Sequence, residues 1–171
     1  HVVHDEPDDL FMLREDFMAG IGQLAGYDLV YELLLFPRHL PAARRLVERF
    51  PDQRFVLDHI GKPPIRERLP EPWATDIRQL AGLPNVFCKV SGMVTEADWE
   101  AWKVEDLTPY LDVVFEAFGT RRCMVGSDWP VCTVAAPYDR VMAVVMDYLG
   151  RFSRAEQEMV LEGNARRIYG L

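Results

Sequence analysis

The chain has 171 residues, of which 49% are hydrophobic and 11% aromatic, and its formal net charge at pH 7 is -8. This length supplies apolar material for one sizeable core, so we expect residues 1–171 to form a single domain. The negative charge argues against nucleic-acid and anionic-membrane partners, which need a cationic protein surface, and favours a small-molecule partner.

The predicted elements alternate between strands and helices along the chain. The first strand, at residues 1–4, has no loop before it, which suggests that the chain begins in mid-domain. Apolar runs that end at proline, glycine or polar residues predict strands at residues 1–4, 27–36, 54–59, 85–91 and 121–126. Helical spacing of apolar residues predicts helices at residues 10–26, 41–50, 73–80, 109–119, 137–149 and 154–163.

Short polar motifs define where several of these helices begin. Residues 7–9 can cap the first helix, and Thr108 can cap the fourth with Pro109 at its first position. Residues 153–156 form a capping box for the last helix, which we expect to stop near Gly163.

The resulting β-α order predicts an α/β fold with parallel strands. Five β/α units fit either an open doubly wound sheet or five-eighths of a (β/α)8 TIM barrel, which normally needs about 250 residues. Length alone does not decide between the two.

The cysteines and apolar stretches indicate the cellular setting. Cys88, Cys123 and Cys132 are odd in number and widely spaced, which favours reduced core thiols over a disulfide framework. No apolar stretch approaches the ~20 residues that a bilayer requires, so we expect a soluble cytoplasmic protein.

Polar residues at the carboxyl ends of parallel strands are the first candidates for chemistry. His59 ends the third predicted strand, and strand alternation would send it and Asp58 to opposite faces, so that at most one of them faces a barrel axis. A neutral imidazole there can bind a metal or polarise a carbonyl, but it can equally be a half-buried histidine bonded to a neighbouring loop.

Two further charged residues stand at strand ends. Asp128 is suited to be a general base for water, although an aspartate in a turn is as often a cap. Lys89 lies in an apolar strand, where its ammonium either meets a polar site or extends to solvent. Trp99, Trp102 and Trp129 can wall a sugar-like ring or simply pack.

Five segments, in order, resemble the amidohydrolase-2 family of the amidohydrolase superfamily. They are residues 1–7 (HVVHDEP), 55–63 (FVLDHIGKP), 85–92 (NVFCKVSG), 124–130 (MVGSDWP) and 164–171 (NARRIYGL). The resemblance covers essentially the whole chain and is strongest for the branch of sugar lactonases and 2-pyrone-4,6-dicarboxylate lactonases.

The resemblance implies a metal-dependent-hydrolase TIM barrel of which this chain holds the fourth to eighth strands. The first three strands, with the family's His-x-His pair, are then absent; His1 and His4 do not have that spacing. His59 matches the family's sixth-strand histidine, which contacts the substrate carbonyl or a metal. Asp128 matches the eighth-strand aspartate, which activates water.

The implied reaction is hydrolysis of a sugar-acid or related lactone by water that Asp128 activates, with His59 stabilising the oxyanion. The cofactor is either one divalent metal ion, zinc by expectation, bound by Asp128 and His59, or none. The candidate substrate-binding residues, whose cations can hold a carboxylate or hydroxyls, are Lys89, Arg38, Lys62, His4 and Trp129.

Two other functions remain open from the sequence. One is a zinc-dependent decarboxylase of the same superfamily, which would release carbon dioxide. The other is an inactive barrel fragment whose exposed sheet edges favour a homo-oligomer.

Overall fold

The computed structural model describes residues 6–171, and within them four parallel strands form one sheet in chain order. The strands are β1 (Tyr31–Leu33), β2 (Phe55–Leu57), β3 (Val86–Val90) and β4 (Cys123–Val125). They confirm four of the predicted strands, each shorter than its apolar run. The strand predicted at residues 1–4 lies outside the described residues.

Helices alternate with these strands along the chain, as predicted. They are α1 (Glu15–Leu24), α2 (Leu40–Arg49), α3 (Trp73–Ala81), α4 (Val104–Phe118), α5 (Tyr138–Leu149), α6 (Arg154–Glu158) and α7 (Asn164–Tyr169). Within residues 6–171, no helix combines the length and the apolar character needed to cross a bilayer.

The two faces of the sheet bury different groups. Phe55, Leu57 and Cys88 pack with the flanking helices in the main core, where all three cysteines are buried free thiols as predicted. The opposite face carries Val56 and Phe87 in a smaller cluster beneath α7. Side chains alternate along a strand, so this second face is also the one that carries charged strand residues.

The start of α4 differs from the prediction at Thr108 and Pro109. The helix begins at Val104, because the Asp106 carboxylate accepts the Lys103 N–H at 3.0 Å and so caps the first turn. Thr108 therefore lies inside the helix and donates its hydroxyl to the Val104 carbonyl at 2.9 Å. Pro109 also lies inside the helix, where it has no N–H and so removes one backbone hydrogen bond from the second turn.

The first helix also begins, and the last helix also ends, at a residue other than the predicted one. Asp8 accepts the Leu10 N–H at 2.9 Å, but this cap leads into a 3-10 turn at Phe11–Leu13, and α1 starts only at Glu15. The last helix does not stop near Gly163. It passes through a π-helical turn, Met159–Gly163, and continues as α7 to a left-handed Gly170.

Candidate active site

His59 follows β2 in a turn that aims its imidazole back across the sheet. In the turn Asp58–Gly61, His59 has φ 50° and ψ 41°, which is left-handed backbone. Its Nδ1 lies 2.9 Å from Ser91 Oγ, in the segment after β3. Gly92 lies against the ring, and a Cβ there would stand 2.7 Å from Nδ1, so only glycine permits this placement.

The turn overturns the prediction that Asp58 and His59 point to opposite faces. Since His59 has left the strand, alternation no longer decides its direction. Asp58 contacts Lys89, His59 approaches Asp128, and both side chains belong to one polar group at the carboxyl ends of the strands.

Asp128 lies in the loop after β4 and is also left-handed, with φ 58°. Ser127 Oγ accepts the Trp129 N–H at 3.2 Å, and the Asp128 carbonyl accepts the Cys132 N–H at 2.8 Å. These two groups make the turn's hydrogen bonds, and the carboxylate instead faces His59. The geometry favours the reactive interpretation of Asp128 over a turn cap.

His59 and Asp128 meet on the wall of a pocket of about 440 Å³. His59 Nε2 lies 3.7 Å from Asp128 Oδ1, and the two side chains are 18% and 11% exposed. The separation exceeds a hydrogen bond, so each group keeps room for a third atom between them. The other lining residues are Leu34, Lys62, Thr95, Glu96, Trp99, Val131 and Val134.

Burial shifts both groups towards neutrality. It lowers the pKa of His59, against the attraction of Asp128, and the positive charges of Lys62 and Lys89 act in the same direction as burial. Burial also raises the pKa of Asp128, although His59 and Lys62 oppose it. A neutral imidazole thus faces a carboxylate of increased basicity, which suits proton transfer.

Lys89 does not reach the pocket as an unpaired cation. Its Nζ lies 2.7 Å from Asp58 Oδ1 and 3.0 Å from Glu32 Oε2. These groups lie on the face of the sheet opposite the main core, which is called the inner face below. Burial alone would lower the pKa of Lys89, but hydrogen bonds and attraction from Asp58 and Glu32 raise it overall. Tyr169 of α7 donates its hydroxyl to the other Glu32 oxygen at 2.5 Å.

The remaining predicted substrate residues fall in different places. Lys62 lines the pocket and is ion-paired with Glu96. Arg38 lies outside the pocket lining, where Nε donates to Asp9 at 2.8 Å. Trp129 is 65% exposed beside Asp128. His4 lies outside the described residues.

Several site residues were not predicted. Glu32 carried a signal, because a carboxylate inside an apolar strand needs a partner by the same argument as Lys89. Glu96 lies in an irregular polar insertion after β3, and no sequence pattern distinguishes it. Ser91 is the last residue of the strand predicted at residues 85–91, but the fold was needed to pair it with His59.

A larger hollow of about 540 Å³ lies by the amino ends of β3 and β4. Its lining includes Phe118, Arg121, Arg122 and Arg167. Ligands of parallel α/β folds bind at the carboxyl ends of the strands, so the smaller pocket is the candidate active site.

The chain belongs to the amidohydrolase family Amidohydro_2, whose sequence profile matches residues 1–171. The four-stranded parallel sheet is accordingly part of a TIM barrel, as the sequence predicted, and not an open doubly wound sheet.

The relatives and a solved structure support a sugar-lactonase branch. The chain is 40% identical to an L-fucono-1,5-lactonase of Burkholderia multivorans, over 100% of this chain and 62% of that protein. It is 37% identical to an L-fucono-1,5-lactonase of Burkholderia ambifaria, over 98% and 59%. An amidohydrolase from Burkholderia multivorans solved with bound zinc has a TM-score of 0.95 and 40% identity, over 100% of this chain and 63% of the other. The chain thus spans about three-fifths of the length of these relatives.

The zinc in that neighbour raises the question of which residues here fit a metal. An imidazole nitrogen and a carboxylate are ordinary zinc ligands, and His59 Nε2 and Asp128 Oδ1 face each other. Catalytic zinc usually has three protein ligands, and residues 6–171 contain no group of three histidine, cysteine or acidic side chains placed to hold an ion. His59 and Asp128 therefore fit as part of a metal site and do not complete one.

Proposed function

We propose that the full-length protein hydrolyses a sugar-acid or related lactone in the pocket between His59 and Asp128. The observation that carries the proposal is the approach of His59 Nε2 to Asp128 Oδ1 at the carboxyl ends of β2 and β4. The lactonase names of two relatives, at 40% and 37% identity, supply the substrate class.

In this mechanism Asp128 is the general base. Its carboxylate takes a proton from a water molecule, and the water oxygen attacks the lactone carbonyl carbon. The ester bond to the ring oxygen then breaks, and the protonated Asp128 returns its proton to that oxygen, which leaves as a hydroxyl. The product is the open-chain hydroxy acid.

His59 stabilises the oxyanion that forms on the carbonyl oxygen. Because Nε2 faces a carboxylate, which accepts and cannot donate, we assign the imidazole proton to Nε2 and let Ser91 donate its hydroxyl to Nδ1. A neutral Nε2–H is a hydrogen-bond donor aimed into the pocket. The lowered pKa of His59 keeps it in this neutral form.

The proposal includes a divalent metal ion at this site. His59, with its proton on Nδ1 and donated to Ser91 Oγ, and Asp128 would hold zinc together with ligands from outside residues 6–171. The ion would then supply the Lewis acid for the carbonyl oxygen in place of the Nε2–H donor. The cytoplasmic location, the homo-oligomer and the single domain stay predictions from the sequence.

The test is a panel of aldonolactones, including L-fucono-1,5-lactone, supplied to the full-length protein. Acid release, followed with a pH indicator, should exceed spontaneous hydrolysis for at least one lactone. Activity confined to amides or phosphoesters would contradict the proposal. Carbon dioxide release from an aromatic acid, without lactone turnover, would favour the decarboxylase alternative.

A further inference from the structure

Every predicted cation near the candidate site that the structure describes already has a carboxylate partner. Lys62 pairs with Glu96, Lys89 with Asp58 and Glu32, and Arg38 with Asp9. The sequence had suggested that these cations bind a substrate carboxylate. Because each of these cations is already paired, none of them offers an unopposed positive charge to a substrate carboxylate.

The Lys62–Glu96 pair is the one that lines the pocket. Its two side chains are 15% and 20% exposed, so solvent screens their charges only in part. Lys62 Nζ also lies 5.7 Å from the centroid of the Phe36 ring. Among residues 6–171, the pocket lining carries one cation, Lys62, and two carboxylates, Glu96 and Asp128.

The backbone fixes this pair next to the reacting groups. The Lys62 N–H donates to the His59 carbonyl at 2.9 Å, which ties the lysine to the turn that positions the imidazole. The Glu96 carbonyl accepts the Arg66 N–H at 3.0 Å. Both charges are thus held by anchored segments.

We propose that Glu96 is a specificity-determining residue, which neutralises Lys62 so that the pocket accepts uncharged polyhydroxy lactones and disfavours lactones that bear a carboxylate. The inference rests on the lactone hydrolysis proposed above. A carboxylated substrate meets the unopposed charge of Asp128, whereas a neutral lactone can hydrogen-bond to both members of the Lys62–Glu96 pair.

The experiment compares an aldono-1,5-lactone with the corresponding aldaro-1,5-lactone, which carries a carboxylate in place of the C6 hydroxymethyl group. For the full-length wild-type protein, kcat/KM should be at least about tenfold higher for the neutral lactone. In Glu96→Gln, the ratio of kcat/KM for the anionic lactone to that for the neutral lactone should rise about tenfold, because Lys62 is released.

Two variants identify the source of that rise. The double variant Lys62→Met/Glu96→Gln should lose it, because no cation remains. Glu100→Gln removes the same charge from an exposed position four residues along the chain and should leave the ratio unchanged. A rise of equal size in Glu100→Gln would assign the effect to net charge and overturn the proposal.

The remaining outcomes separate this inference from the proposed function. The role of Glu96 is rejected if the wild-type protein hydrolyses the aldaro-lactone as fast as the aldono-lactone. It is also rejected if Glu96→Gln folds and its ratio is unchanged. Neither result contradicts the proposed lactone hydrolysis. If Glu96→Gln does not fold, the methyl ester of the aldaro-lactone replaces it, and wild-type protein should open the ester faster than the free acid. Equal rates would reject the inference. Hydrolysis of neither lactone would contradict the proposed function and this inference with it.

Discussion

His59, Lys62 and Asp128 have left-handed backbone, although none of them is glycine. Such a conformation costs a non-glycine residue about 1–2 kcal/mol and persists only where the surroundings fix it. Here it has a visible result, because it turns the imidazole and the carboxylate towards the same pocket. Side-chain position at this site is therefore set by local backbone as much as by the strands.

The first prediction is that Asp128→Asn lowers kcat by about 10² to 10⁴, because the amide cannot take a proton from water. Asparagine tolerates left-handed backbone, so the loop and the fold should survive. His59→Asn, which also suits that backbone, should lose less, since removal of one oxyanion donor slows the attack but leaves the base in place. Lactonase kinetics and thermal melting of the full-length variants provide the measurement.

Asp28→Asn is the matched control for that change. Asp28 is also left-handed, with φ 56°, and its carboxylate pairs with Arg54, away from the pocket lining. Its replacement should leave the lactonase rate unchanged. If Asp128→Asn kept a near-normal rate and melting temperature, Asp128 would be a structural residue and the mechanism would be wrong.

At the same scale, the sequence predicts which residues carry charge into the barrel but not how they pair. An isolated Lys89 in an apolar strand signals a polar partner, yet its partners Asp58 and Glu32 come from two other strands or turns. Only the parallel register places Glu32, Val56 and Phe87 side by side across the sheet. Long-range pairing of this kind has no local pattern.

At the scale of elements, the segment after β3 acts as a support for the turn after β2. Ser91 contacts the His59 imidazole, and Gly92, at φ +65°, provides the space for the ring. The Thr95 hydroxyl donates to the Gly92 carbonyl at 2.6 Å and steadies the segment. The geometry of the site thus depends on Gly92, a residue without a side chain.

The second prediction is that Gly92→Ala impairs the reaction more than it impairs the fold. The added Cβ would displace the imidazole, and positive φ adds a strain of about 1 kcal/mol. Gly119→Ala is the control, because Gly119 has φ +64° but nothing within 4 Å of its Cβ position. Both variants should lose stability in urea denaturation, and only Gly92→Ala should lose most of its lactonase rate. Equal rates in the two variants would contradict the role of Gly92.

The elements themselves were largely predictable, and the exceptions have local causes. Apolar runs located β1 to β4, but the ladder holds only residues 31–33 of the run 27–36, because the run continues into the loops on either side. Pro109 suggested a helix start, and the cap at Asp106 prevailed because it satisfies a backbone donor one turn earlier. A proline near an amino terminus does not by itself mark the first helical position.

At the scale of the whole molecule, hydrogen bonds and ion pairs join α7 to the inner face of the sheet. Tyr169 donates to Glu32 across 137 positions of sequence, and Glu32 in turn accepts from Lys89. Burial and the Glu32 hydrogen bond raise the pKa of Tyr169. Lys89 also has a raised pKa, because attraction from Asp58 and Glu32 outweighs its burial. Both groups hold their protons more tightly in the folded protein.

The last prediction concerns stability at alkaline pH. A raised folded pKa contributes stability that is fully present below the unfolded value, 10.0 for tyrosine and 10.5 for lysine, and is lost as pH rises through the folded pKa. The free energy of unfolding should therefore fall above about pH 10.

Tyr169→Phe removes one of these groups, so its stability at pH 7 should be lower by about 1–3 kcal/mol, since Glu32 loses a donor. Its alkaline decline should be shallower by up to about 1.4 kcal/mol per pH unit, and Tyr148, whose pKa is also raised, keeps part of the slope. Urea denaturation of the full-length protein between pH 7 and 11 measures both effects, with Tyr27→Phe, 75% exposed, as the control that should match the wild type. A Tyr169→Phe variant as steep as the wild type above pH 10 would show that the tyrosine proton is not linked to folding.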